Sequence, residues 1–422
     1  PLPLGGGAAK CRSTVERMTT GPDHQPHILI NALSVSSGGG FTVAREVLRG
    51  LATLRPGWRF TLVMTGGSAF HEPMLRETFP ENVRFLWAPA GTARVRSRLV
   101  YENFTLVDWC RTQSVSAAVQ LNGQKPPRLQ VPMIAHCQDP VPYLPHVWGG
   151  GGGDHSRGRG LPGPAPLRAR LGAALRRRAI RHSLTHAACV GFTSGYLRDL
   201  ILGWEKVTPA RAEVFYNAVP DAWASRDAAA MPGLASRPLE VLTVSDVTPH
   251  KRQHLVARAV CALRKEQGLE SLTYRIVGRV FDEGYAESMR QMARDAGVPD
   301  AVKIEGRLSG EAVEEAFKRA RCFAFMSVCE SFGIPPLEAL SFGAPVVSSR
   351  CCAMPEVLGD AAAFVEPDDE AGLIAGLRRV LTDAAYAEEL RRRGFERCLR
   401  FRWGETCAKM VTSLEEMVSR GR

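Results

Sequence analysis

The sequence lacks any apolar run near the roughly 18 residues that a membrane-spanning helix requires. Its first 26 residues also lack the apolar centre of a signal peptide. Its eleven cysteines form no C-x-x-C pair, so no zinc-finger pattern of cysteines with histidines is present. We therefore expect a cytoplasmic protein whose cysteines are small buried residues in a reducing compartment. The adjacent pair Cys351 and Cys352 leaves a redox role open, although a structural role is favoured.

Aromatic residues are scarce, at 7% of the chain, which disfavours the base-stacking platforms of nucleic-acid-binding modules. Acidic residues are fewer than basic ones. The chain has 43 Asp and Glu and 54 Lys and Arg, which gives a net charge of +11. Such an excess favours an anionic partner, either a phosphorylated substrate, an acidic membrane surface or a nucleic acid. Since no nucleic-acid-binding motif is visible, we expect no nucleic-acid partner.

The chain has 422 residues, of which 45% are hydrophobic, and this size predicts two globular domains. From residue 27 onward, short apolar runs alternate with longer amphipathic segments, a pattern typical of βαβ units. The alternation restarts at residue 239, after an Ala-, Pro- and Ser-rich segment. The sequence therefore predicts an α/β protein with two Rossmann-like, doubly wound parallel sheets. A cleft between their strand ends is the expected ligand site.

These patterns predict a division of the chain into a disordered segment (1–26), a first domain (27–216), a linker (217–238), a second domain (239–400) and a terminal helix (401–422). Within the first domain, the Gly- and Pro-rich segment 148–167 predicts a flexible loop. The following segment, 167–184, is a predicted helix with six arginines and no acid. Either it is a solvated face, or it lies against anionic lipid at the inner face of the plasma membrane.

Two glutamates stand eight positions apart in "ESFGIPPLEALSFGAPVVSS", residues 330–349. The preceding run "CFAFMS" predicts a buried strand, while Pro335 and Pro336 fit the first turn of a helix. We expect Glu330 on the loop and Glu338 in the first helical turn, both at the carboxyl edge of a sheet. Helix amides there can hold phosphate, and carboxylates accept hydrogen bonds from diols, which fits a nucleotide-sugar. Taken singly, Glu338 could merely complement the helix dipole, and Glu330 could be an exposed loop residue.

A basic turn, "VSDVTPHKRQHL", follows the first predicted strand of the second domain. It gathers His250, Lys251, Arg252 and His254 between a strand end and a helix start, where a diphosphate could bind. The alternative is an ordinary solvated cluster, but its position together with the two glutamates favours the phosphate role.

The stretch from Glu330, followed by "AMPEVLGDAAAFVEPDD", resembles the Glu-x7-Glu signature of retaining family 4 glycosyltransferases, also called group 1. The resemblance is most specific over residues 239–383. Elsewhere, "VFYNAVPD" resembles the family's turn into the second domain, "RFRWGETCAKM" its terminal helix that crosses back to the first, and "GGGFTVAREVL" its glycine-rich loop. The resemblance implies the GT-B fold and retaining transfer of a UDP- or GDP-linked sugar, such as mannose, to a glycan or lipid-linked hydroxyl. Cell-surface polysaccharide or glycolipid synthesis is the implied context.

The resemblance also implies roles for individual residues. Glu330 would hold the donor sugar, Glu338 the ribose diol and Lys251 the diphosphate. The remaining implied contacts are Arg252 and the amides of Phe332, Gly333 and Ile334 on the donor, Gly39 and Gly40 on donor phosphate or acceptor, and His136 and Asp139 of "AHCQDP" on the acceptor. Glu330, His136 and Lys251 are the implied catalytic residues. Without an Asp-x-Asp motif, and with cations and amides at the diphosphate, we expect no metal and no other cofactor.

Three features depart from the family pattern. Ser245 and Asp246 stand where many members have Gly-Arg, Ala218 replaces the turn glycine, and neither the "WGGGGG" segment nor the N-terminus has a counterpart. Two other functions therefore stay open. A nucleotide-sugar epimerase of the same fold is disfavoured by the glutamate pair, and a non-catalytic nucleotide-binding module is favoured only by Ser245 and Asp246.

Overall fold

Parallel strands form the centre of the first domain. The computed structural model describes residues 25–35, 38–68, 74, 77–147 and 167–420. The strands of the first domain are β1 (His27–Asn31), β2 (Arg59–Thr65), β3 (Val83–Ala88), β4 (Ala117–Gln120), β5 (Met133–Cys137), β6 (Cys189–Phe192) and β7 (Ala212–Val214). They form one sheet in the order β3-β2-β1-β4-β5-β6-β7, and every pairing is parallel. The predicted disordered segment 1–26 lies outside the described residues, except for residues 25 and 26.

The second domain repeats this plan with six strands. These are β8 (Glu240–Val244), β9 (Thr273–Val277), β10 (Val302–Ile304), β11 (Cys322–Phe325), β12 (Val346–Ser349) and β13 (Ala362–Val365). The order is β10-β9-β8-β11-β12-β13, again with parallel pairing throughout. The predicted pair of Rossmann-like parallel sheets is therefore confirmed. The short edge strand β7 was not predicted, because three residues are too few to show a hydrophobic period.

Helices connect the strands and cover both sheets. In the first domain they are α1 (Gly38–Leu54), α2 (Val95–Asn103), α3 (Thr105–Thr112), α4 (Leu167–His186) and α5 (Gly195–Glu205). The remaining helices are α6 (Asp221–Ala224), α7 (Gln253–Leu263), α8 (Glu283–Asp295), α9 (Gly310–Arg319), α10 (Ile334–Ser341), α11 (Met354–Leu358), α12 (Glu370–Thr382), α13 (Ala384–Cys398) and α14 (Trp403–Arg420). No helix within the described residues is long and apolar enough to cross a bilayer.

Side-chain caps set the start of several helices. Asp282 accepts a hydrogen bond from the amide of Tyr285 at the start of α8, and Ser309 accepts one from Ala312 at the start of α9. Such caps satisfy amides that have no partner within the first helical turn. The helix starts are therefore encoded locally, by Ser or Asp placed just before an amphipathic segment.

The two domains are joined by more than the linker. Helix α14 packs on α1 of the first domain, where a Cβ at Gly50 would lie 2.4 Å from Sγ of Cys407. Arg55 pairs with Glu415 at the far end of the same contact. The linker segment contains helix α6, and the backbone at its start bridges to the residue before α14, Val219 to Arg402. One apolar cluster consequently runs from the first sheet to the second.

Helix α4 begins at Leu167, so all but the last residue of the predicted loop 148–167 lies outside the described residues. Because α4 leads into the amino end of β6, its first turns lie at the opposite, carboxyl edge of the first sheet. Arg176 of α4 pairs there with Asp139, which follows β5, at 2.9 Å. The basic helix is thus part of the rim of the inter-domain cleft.

Candidate functional site

The strand order of the second sheet reverses between β8 and β11, which are hydrogen-bonded neighbours. The basic turn follows β8 and the loop of Glu330 follows β11, so both lie at the carboxyl edge at this reversal. The amide of Val328 donates to the carbonyl of His250 at 3.0 Å and joins the two loops. Ligands of open α/β sheets bind at such a topological switch point.

Lys251 and Glu330 form an ion pair at this edge. Their side chains are only 17% and 12% exposed, and Nζ of Lys251 also lies 5.3 Å from the ring centre of Phe325. Limited solvent strengthens the attraction between the two charges. The predicted phosphate cation and the predicted sugar-binding carboxylate are therefore neighbours, each oriented by the other.

Helix α10 carries the second glutamate. Gly333 is its N-cap with φ of 90°, which strains any residue with a Cβ, and a Cβ there would also displace Cε of Met354, 2.3 Å away. Pro335 and Pro336 lie in the first turn, as predicted. Glu338 does not, because the helix already begins at Ile334 and Glu338 is its fifth residue. The predicted first-turn position of Glu338 is therefore wrong by about one residue.

Burial raises the pKa of the Glu338 carboxyl to about 7, and the nearby charge of Arg45 on α1 only partly opposes this shift. A carboxyl with this pKa exchanges its proton near neutral pH. Hydrogen bonds donated by a diol would favour its charged form. Arg45 belongs to the first domain, so Glu338 faces the other side of the cleft.

The other basic residues of the turn have other partners. Arg252 pairs with Asp368 and donates to the carbonyl of Pro367 at 3.1 Å. Burial lowers the pKa of His250 to about 4, so its imidazole is neutral, and Nδ1 of His254 lies 2.9 Å from the hydroxyl of Tyr285. Of the four residues predicted to bind phosphate, Lys251 thus lies beside Glu330, whereas Arg252 is directed to Asp368.

A basic side chain that was not predicted from the sequence lies beside Ser245 and Asp246. Arg279, which follows β9, lies 3.6 Å from the carboxylate of Asp246. Its neighbour Gly278 has φ of 154°, and a Cβ there would lie 2.0 Å from the carbonyl oxygen of Ser245. This cation comes from the adjacent strand, so a search of the basic turn alone could not find it. Ala218 has no positive φ, so the replaced turn glycine causes no strain.

Three predicted site residues of the first domain, Gly39, Gly40 and His136, do not lie where the sequence placed them. Gly39 and Gly40 lie within the first turn of α1 rather than on a loop, and a Cβ at Gly39 would meet only open space. His136 lies inside β5 and is fully buried, edge-on to Phe215, where burial lowers its pKa to about 4. It therefore contacts apolar neighbours and is not an acceptor contact in this arrangement. Asp139, two residues past β5, reaches the rim and pairs with Arg176.

The contacts of Glu356 cross the domain boundary and were not predicted. Its carboxylate accepts from the amides of Gly195 and Tyr196, both at 2.7 Å, and from the hydroxyl of Tyr216 at 2.9 Å. These two amides are the first of helix α5, where a negative charge is favourable. The motif containing Glu356 had been recognised, but nothing in it indicated a partner in the other domain.

A second contact joins the same helix to the donor loop. The hydroxyl of Ser194, the N-cap of α5, donates to the carbonyl of Ser331 at 2.6 Å and accepts from the amide of Leu197 at 3.0 Å. Ser331 directly follows Glu330. The first domain therefore positions the loop that carries the first glutamate.

A model of the family "Glycosyl transferases group 1" matches residues 227–397, and a model of "Glycosyltransferase Family 4" matches residues 37–223. The chain belongs to the group 1, family 4 glycosyltransferases. The second match covers the first domain and the first match covers the donor-side motifs of the second.

Two curated relatives of the chain are mannosyltransferases. The O-antigen chain mannosyltransferase B of Escherichia coli is 35% identical over 117 residues, which are 28% of this chain and 30% of that protein. The MMP alpha-(1->4)-mannosyltransferase of Mycolicibacterium hassiacum is 30% identical over 180 residues, 42% of each chain. The chain thus spans less than half the length of these relatives.

Solved structures resemble the chain over nearly its whole length. HepE of Anabaena, in complex with UDP and glucose, has a TM-score of 0.70 and 14% identity over 93% of this chain and all of its own. Sucrose-phosphate synthase of Thermosynechococcus elongatus has a TM-score of 0.66 and 18% identity over 94% of this chain and all of its own. The two facing Rossmann-like domains are therefore a GT-B fold.

No cluster of three or more His, Cys, Asp or Glu side chains suited to a metal ion occurs among the described residues. Lys251, Arg279 and the first amides of α10 are among the sources of positive charge at the carboxyl edge.

Proposed function

We propose that the protein is a retaining glycosyltransferase that moves a sugar from a nucleotide-diphosphate donor to a hydroxyl of a glycan or lipid-linked acceptor. The observation that carries this proposal is the ion pair of Lys251 and Glu330 at the switch point, beside the start of α10. Kinship with two mannosyltransferases supports a mannose-type sugar, and hence a UDP- or GDP-linked donor in cell-surface polysaccharide or glycolipid synthesis.

The donor would lie along the carboxyl edge of the second sheet. Lys251 and the amides of Phe332, Gly333 and Ile334 would hold the diphosphate, because helix amides and an ammonium both favour phosphate oxygens. Glu330 would exchange part of its pairing with Lys251 for hydroxyls of the sugar. Glu338 would accept hydrogen bonds from the ribose diol, which requires its charged form.

The chemistry then needs no covalent intermediate on the protein. The bond between the anomeric carbon and the diphosphate oxygen breaks while the acceptor oxygen approaches from the same face. The departing diphosphate takes the acceptor proton. The protein contributes by orienting both substrates and by stabilising the negative charge that develops on the leaving group. Lys251 and the α10 amides supply that stabilisation without any metal being required.

The acceptor would enter along the rim of the first domain near Asp139. On this rim, α4 exposes Leu167, Leu171 and Leu175, at 68%, 55% and 69%, and these leucines share one face because they are spaced four apart. Three of its arginines form no ion pair with another described residue: Arg168, Arg170 and Arg178. Apolar side chains flanked by arginines suit an anionic bilayer surface, and this supports a lipid-linked acceptor.

The test is a panel of nucleoside diphosphates and their sugars, screened first by thermal shift and then by calorimetry. A ligand that binds only the native state raises its melting temperature. Replacing Lys251 by Ala should weaken the best diphosphate by about 10- to 100-fold, since a charge-assisted hydrogen bond is lost. Lys265→Ala, at an exposed lysine, is the matched control and should bind like the unaltered protein.

Product analysis separates transfer from the alternatives. Transfer with retention gives a new glycoside of unchanged anomeric configuration, formed only when an acceptor is present. An altered nucleotide-sugar formed without acceptor would instead identify an epimerase. Unchanged affinity in Lys251→Ala would place the diphosphate elsewhere and refute this site.

A further inference from the structure

Two neighbouring cysteines differ from the others. Ten of the eleven cysteines lie among the described residues, all ten are free, and eight are buried. Only Cys351 and Cys352 within that part of the chain are partly exposed. They follow β12, which is hydrogen-bonded to β11, so they lie at the same carboxyl edge as the loop of Glu330.

The backbone brings the two sulfurs together. Cys352 has φ of 54°, in the left-handed region, which costs roughly 1–2 kcal/mol for a residue with a Cβ. This turn places the two Sγ atoms 3.4 Å apart. Since a metal–thiolate bond is about 2.3 Å long, one central atom can reach both sulfurs. Strain of this kind, held by the surrounding structure, is typical of functional positions.

The surroundings activate one of the two thiols. The pKa of Cys352 is lowered, chiefly by its hydrogen bond with Cys351 and further by one with Tyr196 of the first domain, while burial opposes this shift. A thiolate is the nucleophilic form of cysteine. The same pairing, together with burial, raises the pKa of Cys351.

The pair also contacts the donor loop. Sγ of Cys352 lies 3.4 Å from the carbonyl oxygen of Val328, and Sγ of Cys351 lies 4.0 Å from it. Val328 precedes Glu330 by two residues, and its amide donates to His250 of the basic turn. A group bound between the sulfurs would therefore pull both away from the loop that carries Glu330.

We propose that Cys351 and Cys352 form a dithiol site for thiophilic reagents that bind two sulfurs at one atom, with trivalent arsenicals as the representative class. Two arsenic–sulfur bonds form, and the arsenic-bound oxygen leaves as water with the two thiol protons. No atom is oxidised or reduced. Occupation of the site displaces the donor loop and weakens nucleotide binding, a consequence that rests on the proposed function.

The first experiment treats the full chain carrying Cys11→Ser, which removes the one cysteine outside the described residues, with phenylarsine oxide under native conditions. Intact mass should show one arsenical per chain, retained in excess 2-mercaptoethanol and released by 2,3-dimercaptopropanol. Cys351→Ser and Cys352→Ser should each lose the adduct in the monothiol wash, because one thiol cannot chelate. Cys261→Ser, at a buried cysteine of α7, is the control and should keep it.

The second experiment measures nucleoside diphosphate binding by calorimetry before and after modification. The adduct should weaken affinity by about tenfold, a difference of about 1.4 kcal/mol, and the dithiol should restore it. An adduct that survives in either serine variant, or no stable adduct in the parent, overturns the site. An adduct with unchanged affinity overturns the coupling to the donor loop. If the unmodified chain binds no nucleoside diphosphate, the proposed function and the coupling fail together, whereas the mass result still decides the dithiol site.

Discussion

At the scale of single residues, Glu330 has the ammonium of Lys251 and the thiol of Cys329 as neighbours. Lys251 holds its carboxylate in place, while the buried thiol of Cys329 beside it has a pKa raised mainly by burial and also by the charge of Glu330. Glu330 is therefore held in place by its ion pair with Lys251. This arrangement suits a group that accepts hydrogen bonds from sugar hydroxyls in a developing transition state.

Glu330→Gln should accordingly abolish transfer without abolishing nucleotide binding. We expect turnover to fall by about a hundredfold or more, the size seen when one oriented electrostatic contact to a transition state is lost. Nucleoside diphosphate affinity should stay equal or rise, because Lys251 loses its competing partner. Steady-state kinetics and calorimetry measure the two effects, with the exposed Glu283→Gln as control. Full turnover in Glu330→Gln would remove this residue from the site.

The raised pKa of Glu338 predicts a pH-dependent melting temperature. Because the pKa of about 7 in the folded protein exceeds the ordinary 4.5, the native state holds the proton more tightly than the unfolded chain. Stability therefore falls as the pH rises from about 4.5 to about 7, and the penalty is complete above this range. Glu338→Gln removes it, so the variant should gain more in melting temperature at about pH 8 than at about pH 5.

Glu311→Gln on α9, at an exposed position, is the control for this measurement and should shift the melting temperature equally at both pH values. A Glu338→Gln shift that does not change with pH would show that its carboxyl titrates normally.

The residue scale is also where sequence reasoning succeeded least. Glu330 and Lys251 were both predicted to lie at the donor site because each follows a strand of the second sheet, and their side chains do pair. His136 was assigned to the cleft from its place at a strand end, yet strand β5 turns its side chain into the core. Arg252 was assigned to phosphate, yet Asp368, more than a hundred residues away in sequence, binds it. The local spacing of residues in a sequence does not show which way a side chain points, nor which distant residue it contacts.

At the scale of elements, helix α5 has its first amides satisfied by the other domain. The amides of Gly195 and Tyr196 donate hydrogen bonds to the carboxylate of Glu356. The hydroxyl of Ser194 accepts one from the next amide, that of Leu197. A helix end usually finds such partners locally or in water. Here the partner is on α11, so the start of α5 depends on how the two domains are arranged.

Replacing Glu356 by Gln should therefore loosen the start of α5. Hydrogen bonds to a charged group contribute about 1.5–3 kcal/mol, so amide exchange at Gly195 and Tyr196 should accelerate by about tenfold or more. Hydrogen-exchange mass spectrometry of the peptide that spans these residues measures it. Glu287→Gln on the exposed face of α8 is the control and should leave α5 unchanged. Unaltered exchange in Glu356→Gln would mean that these amides are protected without the carboxylate.

The helices and strands themselves were largely predictable. Buried strands such as β11 are continuous apolar runs, and helix starts such as Ser309 and Asp282 are local signals. The errors occurred where two signals overlapped. Gly38 to Gly40 predicted a loop, but the following amphipathic segment extends the helix through them.

At the scale of the whole molecule, the two-domain GT-B arrangement was predictable because the βαβ rhythm stops and restarts once. The contacts between the domains were not, since they depend on tertiary geometry. Tyr216, Phe332 and Phe401 illustrate this point, because their rings meet 5.2 to 6.2 Å apart although they come from three distant segments. The hydrophobic period of a sequence identifies the helices and strands of each domain, but it does not show which surfaces of the two domains are in contact.

The exposed leucines and arginines of α4 predict attachment to anionic vesicles. In a flotation assay, the protein should float with vesicles that contain anionic lipid, and salt should weaken this attachment by screening the arginines. Leu171→Glu should abolish flotation, because it places a carboxylate in the middle of the apolar face. Leu399→Glu alters an exposed leucine on another surface and should float normally. Equal flotation with neutral vesicles would contradict a role for the arginines.

The packing of helix α14 affects how the protein folds during its synthesis. Met410, Leu414 and Met417, near the chain's last residues, share one apolar cluster with Ile28 and Leu51 of the first domain. Domains usually fold in order as they leave the ribosome. Here the first domain keeps an apolar face uncovered until helix α14 has been synthesised. A chain that stops before residue 403 would therefore lack this cover of the first domain.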